Sequence, residues 1–298
     1  MYPPQATGWI PDPADARDLT PDSPKVARLA PQAAASPLEA AAAPEPPAID
    51  LREFFPAVGR QDTINSCTAF TAAALLGYFE RRTFNRLFQP SPMFLYKVER
   101  NLLHQTGDRG AFLRIAMKAL RAFGAPPESE WPYDVRYFDL EPPAYVYAYA
   151  ANYKAAAYYR LDPPDTPREA LLAAIHSSLA RGIPVMFGFV LYPSSAQSYN
   201  SGSGRGEIPF PESGERPVGL HALVACGYDD EKIVVNLSGG SVTTGALRVR
   251  NSWGPEWGDG GYGWLPYDYV LQNYASDWWS LIRADFLDPT QFDTAGTR

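Results

Sequence analysis

Apolar residues recur at helical spacing directly after a polar, turn-prone stretch near residue 65. The polar stretch covers residues 61–66, and the apolar positions that follow are Ala69, Ala72, Ala73, Leu76 and Phe79. This spacing, with alanine and leucine as strong helix formers, predicts a buried helix from Cys67 to Arg82. Ser66 is the predicted N-cap residue, so Cys67 falls in the first helical turn.

Further helical patterns follow in the first half of the chain. Ser91-Pro92 begins one helix, because proline fits a first helical position, and another runs over residues 113–123 until Gly124 ends it. Thr166 is the predicted cap of a later helix that continues to Ala180.

Strand patterns dominate the second half. Residues 184–192 form a continuous apolar run, which is typical of a strand buried on both faces. Further strands are predicted over residues 155–160, 221–228, 232–237, 246–251 and 262–266. Helices first and strands afterwards predict an α+β protein. The Gly-, Ser- and Pro-rich stretch 193–219 predicts a long loop, either functional or disordered.

Composition and charge indicate which partners and which cellular location to expect for this chain. With 298 residues, 46% of them hydrophobic, the chain can build one large or two modest cores. Its net charge of −7 and the lack of a basic cluster argue against nucleic acid and membranes as partners. No apolar run of about 18 residues and no secretory leader are visible, which predicts a cytoplasmic protein or leaderless export. We expect a monomer.

Two cysteines and three histidines limit the candidate chemistry. Cys67 begins a helix, where unpaired N–H groups and the helix dipole favour a thiolate, so its thiol should ionise more easily than a free one. Cys226 lies in a strand pattern and is interpreted as a small buried hydrophobe. If Cys67 is a nucleophile, no intramolecular disulfide forms. His104 and His176 are interpreted as ordinary surface or interface histidines, which leaves His221 as the candidate base.

Three segments resemble the active-site segments of the papain-like cysteine peptidases, of a bacterial type. Gln61 precedes Cys67 by six residues, and His221 begins the run His-Ala-Leu-Val-Ala-Cys-Gly-Tyr. Residues 251–262 read Asn-Ser-Trp-Gly-Pro-Glu-Trp-Gly-Asp-Gly-Gly-Tyr, the most specific of the three. The segments also occur in the family's order, Cys, His and then Asn.

The chain departs from the family pattern in two places. Ile64 and Asn65 stand where the family has a half-cystine and a glycine, and Asn65 can take the left-handed conformation of that glycine. Asn251 follows His221 by 30 positions, which exceeds the usual spacing and predicts an extra hairpin loop over residues 235–247.

The resemblance implies a papain-like fold, with a helical half (51–160) and a β-rich, barrel-like half (161–298) on either side of a cleft. It implies peptide-bond hydrolysis through an acyl-thioester on Cys67, without metal or cofactor. His221 would be the general base and acid, and Asn251 would orient its ring. Four further residues would assist: Gln61 in the oxyanion hole, Ser66 beside the cysteine, Trp253 over the His–Asn hydrogen bond and Trp257 on the leaving-group side.

The resemblance also implies contacts with a peptide or protein substrate. Gly110, Ala111 and Phe112 resemble the strand that pairs with substrate backbone, although a simple helix-entry loop fits these residues equally well. The residues that align roughly with the pocket for the residue two before the scissile bond are Gly188, Gly219, Leu220 and Phe112. They predict an apolar and fairly roomy pocket.

Residues 1–50 differ from the rest of the chain. They hold 11 of the 30 prolines and show no regular periodicity. A solvated tail and an inhibitory pro-segment, which papain-like enzymes commonly carry, both fit this composition. In the second case Trp9, Ile10 and Leu19 would anchor the segment near the cleft, with residues 33–43 as an exposed tether.

Two rival functions fit the same resemblance. One is a catalytically silent binding protein on the same fold, and the other is a Cys-dependent amidase or acyl-transferase. The complete set of Gln61, Cys67, His221 and Asn251 argues against the silent protein, because binding alone would not demand all four.

Overall fold

The structure is a computed structural model that describes residues 7–29, 45–155 and 157–282. The predicted tether, residues 33–43, lies outside the described residues. Within them, no helix is long and apolar enough to cross a membrane.

The helical half is built around one long helix. After the short α1 (Pro24–Leu29), the helices are α2 (Cys67–Phe84), α3 (Pro92–Leu102), α4 (Leu113–Ala122) and α5 (Ala144–Ala150). α2 is buried along most of its length, since small alanines let α3, α4 and the sheet pack closely on it. The helices predicted from residues 67, 92 and 113 are confirmed, and Ser91 caps α3 by accepting from Phe94 N.

The β-rich half is a seven-stranded sheet. Its strands are β1 (Ala48–Asp50), β2 (Ala157–Arg160), β3 (Val185–Leu191), β4 (Gly219–Val235), β5 (Val242–Arg250), β6 (Tyr262–Pro266) and β7 (Ala275–Ile282). The order is β2-β7-β3-β4-β5-β6, with β1 paired to β4, and every pairing is antiparallel. The predicted α+β class is therefore confirmed, with an open sheet in place of a closed barrel. Two further helices are α6 (Arg168–Ala180) and α7 (Asp268–Leu271).

The strands predicted over 221–228 and 232–237 are one strand. β4 runs continuously from Gly219 to Val235 and pairs with β5 through two register shifts. The extra residues between His221 and Asn251 therefore lengthen a β-hairpin whose turn lies at residues 236–241, away from the end that carries His221. The hairpin loop expected over 235–247 is shorter than predicted, because its flanks pair as strand.

Two strands were not predicted. β1 is three residues long and too short to show a pattern, while β7 mixes Ser and Asp with aromatic residues. β7 lies between β2 and β3, and its Trp278 stacks on Phe187 of β3 with ring centroids 4.1 Å apart. Because β1 and β2 join the sheet, the boundary between the halves does not follow residue 160.

Ser66 is the N-cap residue of α2, as predicted, but its hydroxyl makes no cap hydrogen bond and instead lies 2.6 Å from Tyr133 Oη. Two other local predictions were wrong. Asn65 is absent from the positive-φ residues among those described; Asp62 takes the left-handed conformation in this loop. Pro167 replaces Thr166 as the N-cap of α6, because the Thr166 hydroxyl donates back to Pro163 O.

Candidate active site

The loop before α2 is held by the segment that contains Asn251. Gln61 N donates to Ser252 O at 2.8 Å, and Ser252 Oγ donates to Gln61 Oε1 at 2.5 Å. The side-chain amide of Gln61 then donates to Ile64 O at 3.1 Å, inside the same loop. These contacts bring the Gln61 segment and residues 251–254 together across the two halves. Ser252 was not predicted to have this role.

Tyr133 and Asp108 brace the same loop from the helical half. Tyr133 Oη donates to Gln61 O at 2.8 Å and meets Ser66 Oγ, while Asp108 Oδ1 accepts from Asn65 N at 2.7 Å. An aromatic hydroxyl and a carboxylate thus fix the loop whose end sets the start of α2. Neither residue carries a sequence signal beyond its type, so neither was predicted.

Cys67 begins α2 and is fully buried against the sheet. Burial raises the pKa of its thiol to about 12, although the backbone N–H groups of Ala222, Trp9 and Thr68 favour the thiolate. The charge of Glu99, which accepts from Thr68 Oγ1 at 2.7 Å, acts in the same direction as burial. The expected easy ionisation at a helix start is therefore reversed in this arrangement, because loss of water outweighs the N–H groups.

His221 lies at the start of β4, next to the Ala222 backbone that meets Cys67. Its Nε2 is 2.9 Å from Asn251 Oδ1, and Oδ1 also accepts from Ser252 N at 2.7 Å. Its other nitrogen, Nδ1, is buried without a hydrogen-bond partner among the described residues. Burial lowers the pKa of His221 to about 4, against the hydrogen bond that His221 donates to Asn251, which raises it. A neutral imidazole beside a neutral thiol is the form that these shifts favour.

Aromatic rings enclose the His221–Asn251 pair. Trp253 stacks on His221, Tyr199 stacks on Trp253 at 5.1 Å, and Trp257 meets Trp253 edge-on at 5.7 Å. The loop 193–219 supplies Tyr199, and also Ser198, whose Oγ accepts from Trp257 Nε1 at 3.1 Å. The long loop is therefore a wall of this site.

Cys226 and His176 lie in structural surroundings, and His104 is exposed. Cys226 is buried in β4, 3.5 Å from Arg248 O, and His176 stacks on Tyr228 with centroids 4.2 Å apart. Among the described residues, no three His, Cys, Asp or Glu side chains gather where a metal ion could be held.

A comparison with known families agrees with this geometry. The family described as papain family cysteine protease matches residues 45–273. The chain belongs to the papain family of cysteine proteases. It is accordingly a hydrolase that acts on peptide bonds.

Individual relatives of this papain-family protease are similar over most of its length. An uncharacterized peptidase C1-like protein of Acanthamoeba polyphaga mimivirus is 34% identical over 226 residues, which are 74% of this chain and 68% of that protein. Cathepsin K of Gallus gallus is 29% identical over 223 residues, 73% of this chain and 58% of cathepsin K. Xylellain, a cysteine protease from Xylella fastidiosa, has a TM-score of 0.72 and 32% identity, covering 94% of this chain and 96% of its own.

In this papain-family protease, the N-terminal segment lies in the cleft. Ala111 N donates to Gly8 O at 2.8 Å, and Ile10 N donates to Ala111 O at 2.9 Å. On the sheet side, Gly8 N donates to Leu220 O at 3.2 Å. Residues 8–10 therefore bridge the two halves and pair with the backbone that we predicted to hold substrate.

Glycines of both halves make room for this segment. A methyl group added at Gly110 would come within 2.2 Å of Gly8 O, and one at Gly188 within 2.0 Å of the Trp9 ring. A methyl group added at Gly219 would lie 2.9 Å from Cγ2 of Thr7. Of the other residues predicted to bind substrate, Phe112 is the N-cap of α4 and Trp257 packs edge-on against Trp253.

Buried charges anchor the segment beyond Ile10. The carboxylate of Asp18 accepts from Arg114 at 2.8 and 2.6 Å, and Trp279 Nε1 donates to Asp12 Oδ2 at 2.9 Å. Asp12 N donates to Asp277 Oδ2 at 2.7 Å. Burial and the neighbouring Asp277 raise the pKa of Asp12, against the pull of Arg114. Asp277 was not predicted, although a carboxylate inside the apolar stretch 275–282 was a signal for a buried role.

Proposed function

We propose that this enzyme hydrolyses peptide bonds through an acyl-thioester on Cys67, with His221 as general base and then general acid. The observation that carries the proposal is the 2.9 Å contact of His221 Nε2 with Asn251 Oδ1. An amide oxygen accepts only, so Nε2 carries the proton and Nδ1 keeps its lone pair. Nδ1 is the nitrogen left to take the proton of Cys67, which lies against the adjacent residue Ala222.

Each residue type suits its step. A thiol must become a thiolate to attack a peptide carbonyl, and the base that removes its proton contributes roughly 10²–10⁴-fold in rate. His221 then returns the proton to the leaving amine, while Asn251 keeps the ring in one tautomer. Gln61 and the Cys67 backbone N–H would donate to the oxyanion, about 10²–10³-fold for each donor.

We further propose that residues 7–18 inhibit the enzyme by occupying its cleft. The segment uses the Ala111 backbone, the space beside Gly188 and the Leu220 carbonyl, all of which a substrate would need. It also contacts Cys67 through the Trp9 backbone, and in this closed arrangement the pKa shifts of Cys67 and His221 both favour neutral, unreactive forms. Removing the segment would readmit water, and the helix dipole and imidazole could then favour the ion pair.

The segment meets Cys67 in a way that suits an inhibitor better than a substrate. The backbone N–H of Trp9 faces the sulfur and favours its charged form. A substrate must instead present a carbonyl carbon, about 3–3.5 Å from the attacking atom. The docked segment therefore offers the nucleophile a hydrogen bond and no electrophile.

Two measurements test these proposals. A chain that starts at Glu45 keeps β1 and the Pro46 carbonyl that accepts from Tyr228 Oη. We expect it to show a higher kcat/KM on a small peptide than the full-length chain, with the same circular dichroism. Equal values would show that the segment is only a tail.

The second measurement concerns the nucleophile. An epoxide inhibitor of papain-like enzymes should label the chain that starts at Glu45, and Cys67→Ala should abolish the labelling, while Cys226→Ala retains it. Labelling that survives in Cys67→Ala would overturn the assignment of the nucleophile and leave the family membership intact.

A further inference from the structure

The space beside Gly188 is filled by the indole of Trp9 and ends at a carboxylate. Trp9 is only 4% exposed, and a side chain at Gly188 would overlap its ring. The indole Nε1 donates to Asp277 Oδ2 at 3.0 Å. The pocket is therefore shaped for a large, flat ring and carries one hydrogen-bond acceptor at its base, an addition to the apolar and fairly roomy pocket predicted from the sequence.

The enzyme holds Asp277 in place without help from the segment. Asp277 takes a left-handed conformation (φ 59°), and its backbone N donates to Asp162 Oδ2 at 2.8 Å. Its Oδ1 accepts from Arg160 Nη2 at 2.8 Å. One oxygen is thus fixed by Arg160, and the other, Oδ2, is directed at the pocket.

Oδ2 bonds to the segment through two donors, Trp9 Nε1 and the backbone N–H of Asp12. Both donors leave when the segment leaves, and Asp277 is 2% exposed in the docked form. A buried carboxylate oxygen without a hydrogen-bond donor is costly in free energy. A substrate whose side chain donates to Oδ2 therefore binds more tightly than one whose side chain does not.

Charge around the pocket disfavours a cationic side chain. Arg160 neutralises Asp277 from one side, and Arg114 loses its partners Asp12 and Asp18 when the segment departs. The pocket then has two guanidinium groups facing Asp277 and Asp162, without an excess of negative charge. A neutral donor suits this balance better than a lysine or an arginine.

We propose that Asp277 determines specificity, and that the pocket selects substrates with a donor-bearing aromatic residue, tryptophan or tyrosine, two positions before the scissile bond. This inference rests on the proposed peptidase function and on the Ala111 backbone holding the substrate as it holds Trp9. Phenylalanine fills the same space but leaves Oδ2 unpaired. Loss of one such hydrogen bond lowers kcat/KM by about tenfold or more.

The experiment uses the full-length chain with both Gly8→Ala and Trp9→Ala. The methyl group at position 8 would overlap Asn65 O and the missing indole removes the main side-chain anchor, so the segment leaves Ala111 and Asp277 while the walls of the pocket stay unchanged. Peptides that differ only in the selected residue, with Trp, Tyr, Phe, Leu or Arg, are compared by kcat/KM. We expect kcat/KM for the Trp and Tyr peptides to exceed that for the Phe peptide by about tenfold. The Arg peptide should have a lower kcat/KM than all three aromatic peptides. This comparison requires no substitution at Asp277, so it stands even where an Asp277 variant fails to fold.

A second comparison, Asp277→Asn in the same chain, separates recognition from structure. Arg160 requires the amide oxygen, so the amide N–H₂ would face the pocket. An indole only donates, while a phenol also accepts, so the Trp advantage over Phe should disappear and the Tyr advantage should persist. A merely structural change would lower all peptides together. Asp165→Asn is the matched control, since Asp165 shares the left-handed backbone and is exposed.

The outcomes distinguish the role of Asp277 from the proposed peptidase function. Hydrolysis with equal kcat/KM for Trp, Tyr and Phe would overturn the role of Asp277 alone. No hydrolysis of any peptide, by this chain and also by the chain that starts at Glu45, would overturn the proposed function and this inference with it. An unchanged Trp-to-Phe ratio in a folded Asp277→Asn chain would also overturn the inference.

Discussion

Trp253 and His221 lie face to face, with ring centroids 4.6 Å apart and planes only 15° from parallel. The indole covers the imidazole on one face, while Asn251 Oδ1 holds its edge at Nε2. Two contacts of different kinds therefore orient one ring. The loss of either contact alone leaves the other to position the imidazole, the proposed general base.

This double support leads to the first prediction, on the relative cost of the three candidate catalytic residues. Cys67→Ala and His221→Ala should each lower kcat/KM by about a thousandfold or more, because no other group supplies their chemistry. Asn251→Ala should cost about 10- to 100-fold, since stacking on Trp253 retains part of the orientation. The measurement is peptide hydrolysis by the chain that starts at Glu45.

Cys226→Ala is the matched control for Cys67→Ala. Its sulfur lies inside β4 and contacts Arg248 O, so this variant should retain most activity and lose a little stability. Residual activity above about a tenth of wild type in Cys67→Ala would contradict the nucleophile assignment.

The second prediction concerns Gln61, which Ser252 and Ile64 hold in position. Gln61→Ala should lower kcat by about 10²-fold, or roughly 3 kcal/mol, because the oxyanion exists only after attack. KM should change little. A normal kcat with a raised KM would assign Gln61 to substrate binding instead.

The third prediction concerns the fit of Gly8 between the two halves. Gly8 has φ +150°, and a methyl group there would come within 2.1 Å of Asn65 O. Gly8→Ala should therefore displace the segment and raise the kcat/KM of the full-length chain toward that of the chain starting at Glu45. A clash that costs about 1.4 kcal/mol already weakens docking of the segment tenfold.

Gly202→Ala is its control, because nothing lies within 4 Å of a methyl group at Gly202. It should leave the full-length chain as inhibited as before. A Gly8→Ala chain with wild-type kcat/KM would mean that residues 8–10 do not limit access to the cleft.

The fourth prediction is a pH dependence of inhibition. Burial, and then the charge of Asp277, raise the pKa of Asp12 from 3.8 to about 7 in the docked segment, while Arg114 and Trp279 oppose the shift. A released segment returns Asp12 to solvent and to its ordinary pKa. Docking of the segment therefore takes up a proton. The affinity of the segment for the cleft is highest below about pH 4 and falls as the pH rises to about 7. Above about pH 7 the affinity no longer depends on Asp12.

The measurement is the ratio of kcat/KM for the full-length chain to that of the chain starting at Glu45, between pH 4 and 8. The ratio cancels the titration of the catalytic pair and should rise with pH. Asp12→Asn cannot ionise, so its ratio should stay low and flat across the range. A wild-type ratio that is flat, or that falls with pH, would refute this prediction.

Much of the site could be predicted from local sequence, because its central residues lie in contiguous motifs. The start of α2 at Cys67 and the strand that begins near His221 follow from short apolar patterns, and the fold class follows from their order. The contact between His221 and Asn251 spans 30 residues, and the family motif suggested it.

The rest depends on partners far apart in the chain. Ser66 looks like a helix cap in sequence, yet Tyr133, 67 residues away, takes its hydroxyl. In the sequence, Asp277 is only a polar residue among apolar ones. Its role depends on Trp9 and Arg160, which contact it only in the folded chain. Propensity describes neighbours within a few residues, and these interactions are set by tertiary packing.

The position of β7 also sets an order of assembly. Trp9 and Asp277 are 268 positions apart, so their contact must wait for the last strand to enter the sheet. The same strand pairs with β3, which in turn pairs with His221 through Phe189. β7 thus belongs both to the sheet that carries His221 and to the surface on which residues 9–12 lie, so the proposed inhibitor can dock only on a sheet that already contains β7.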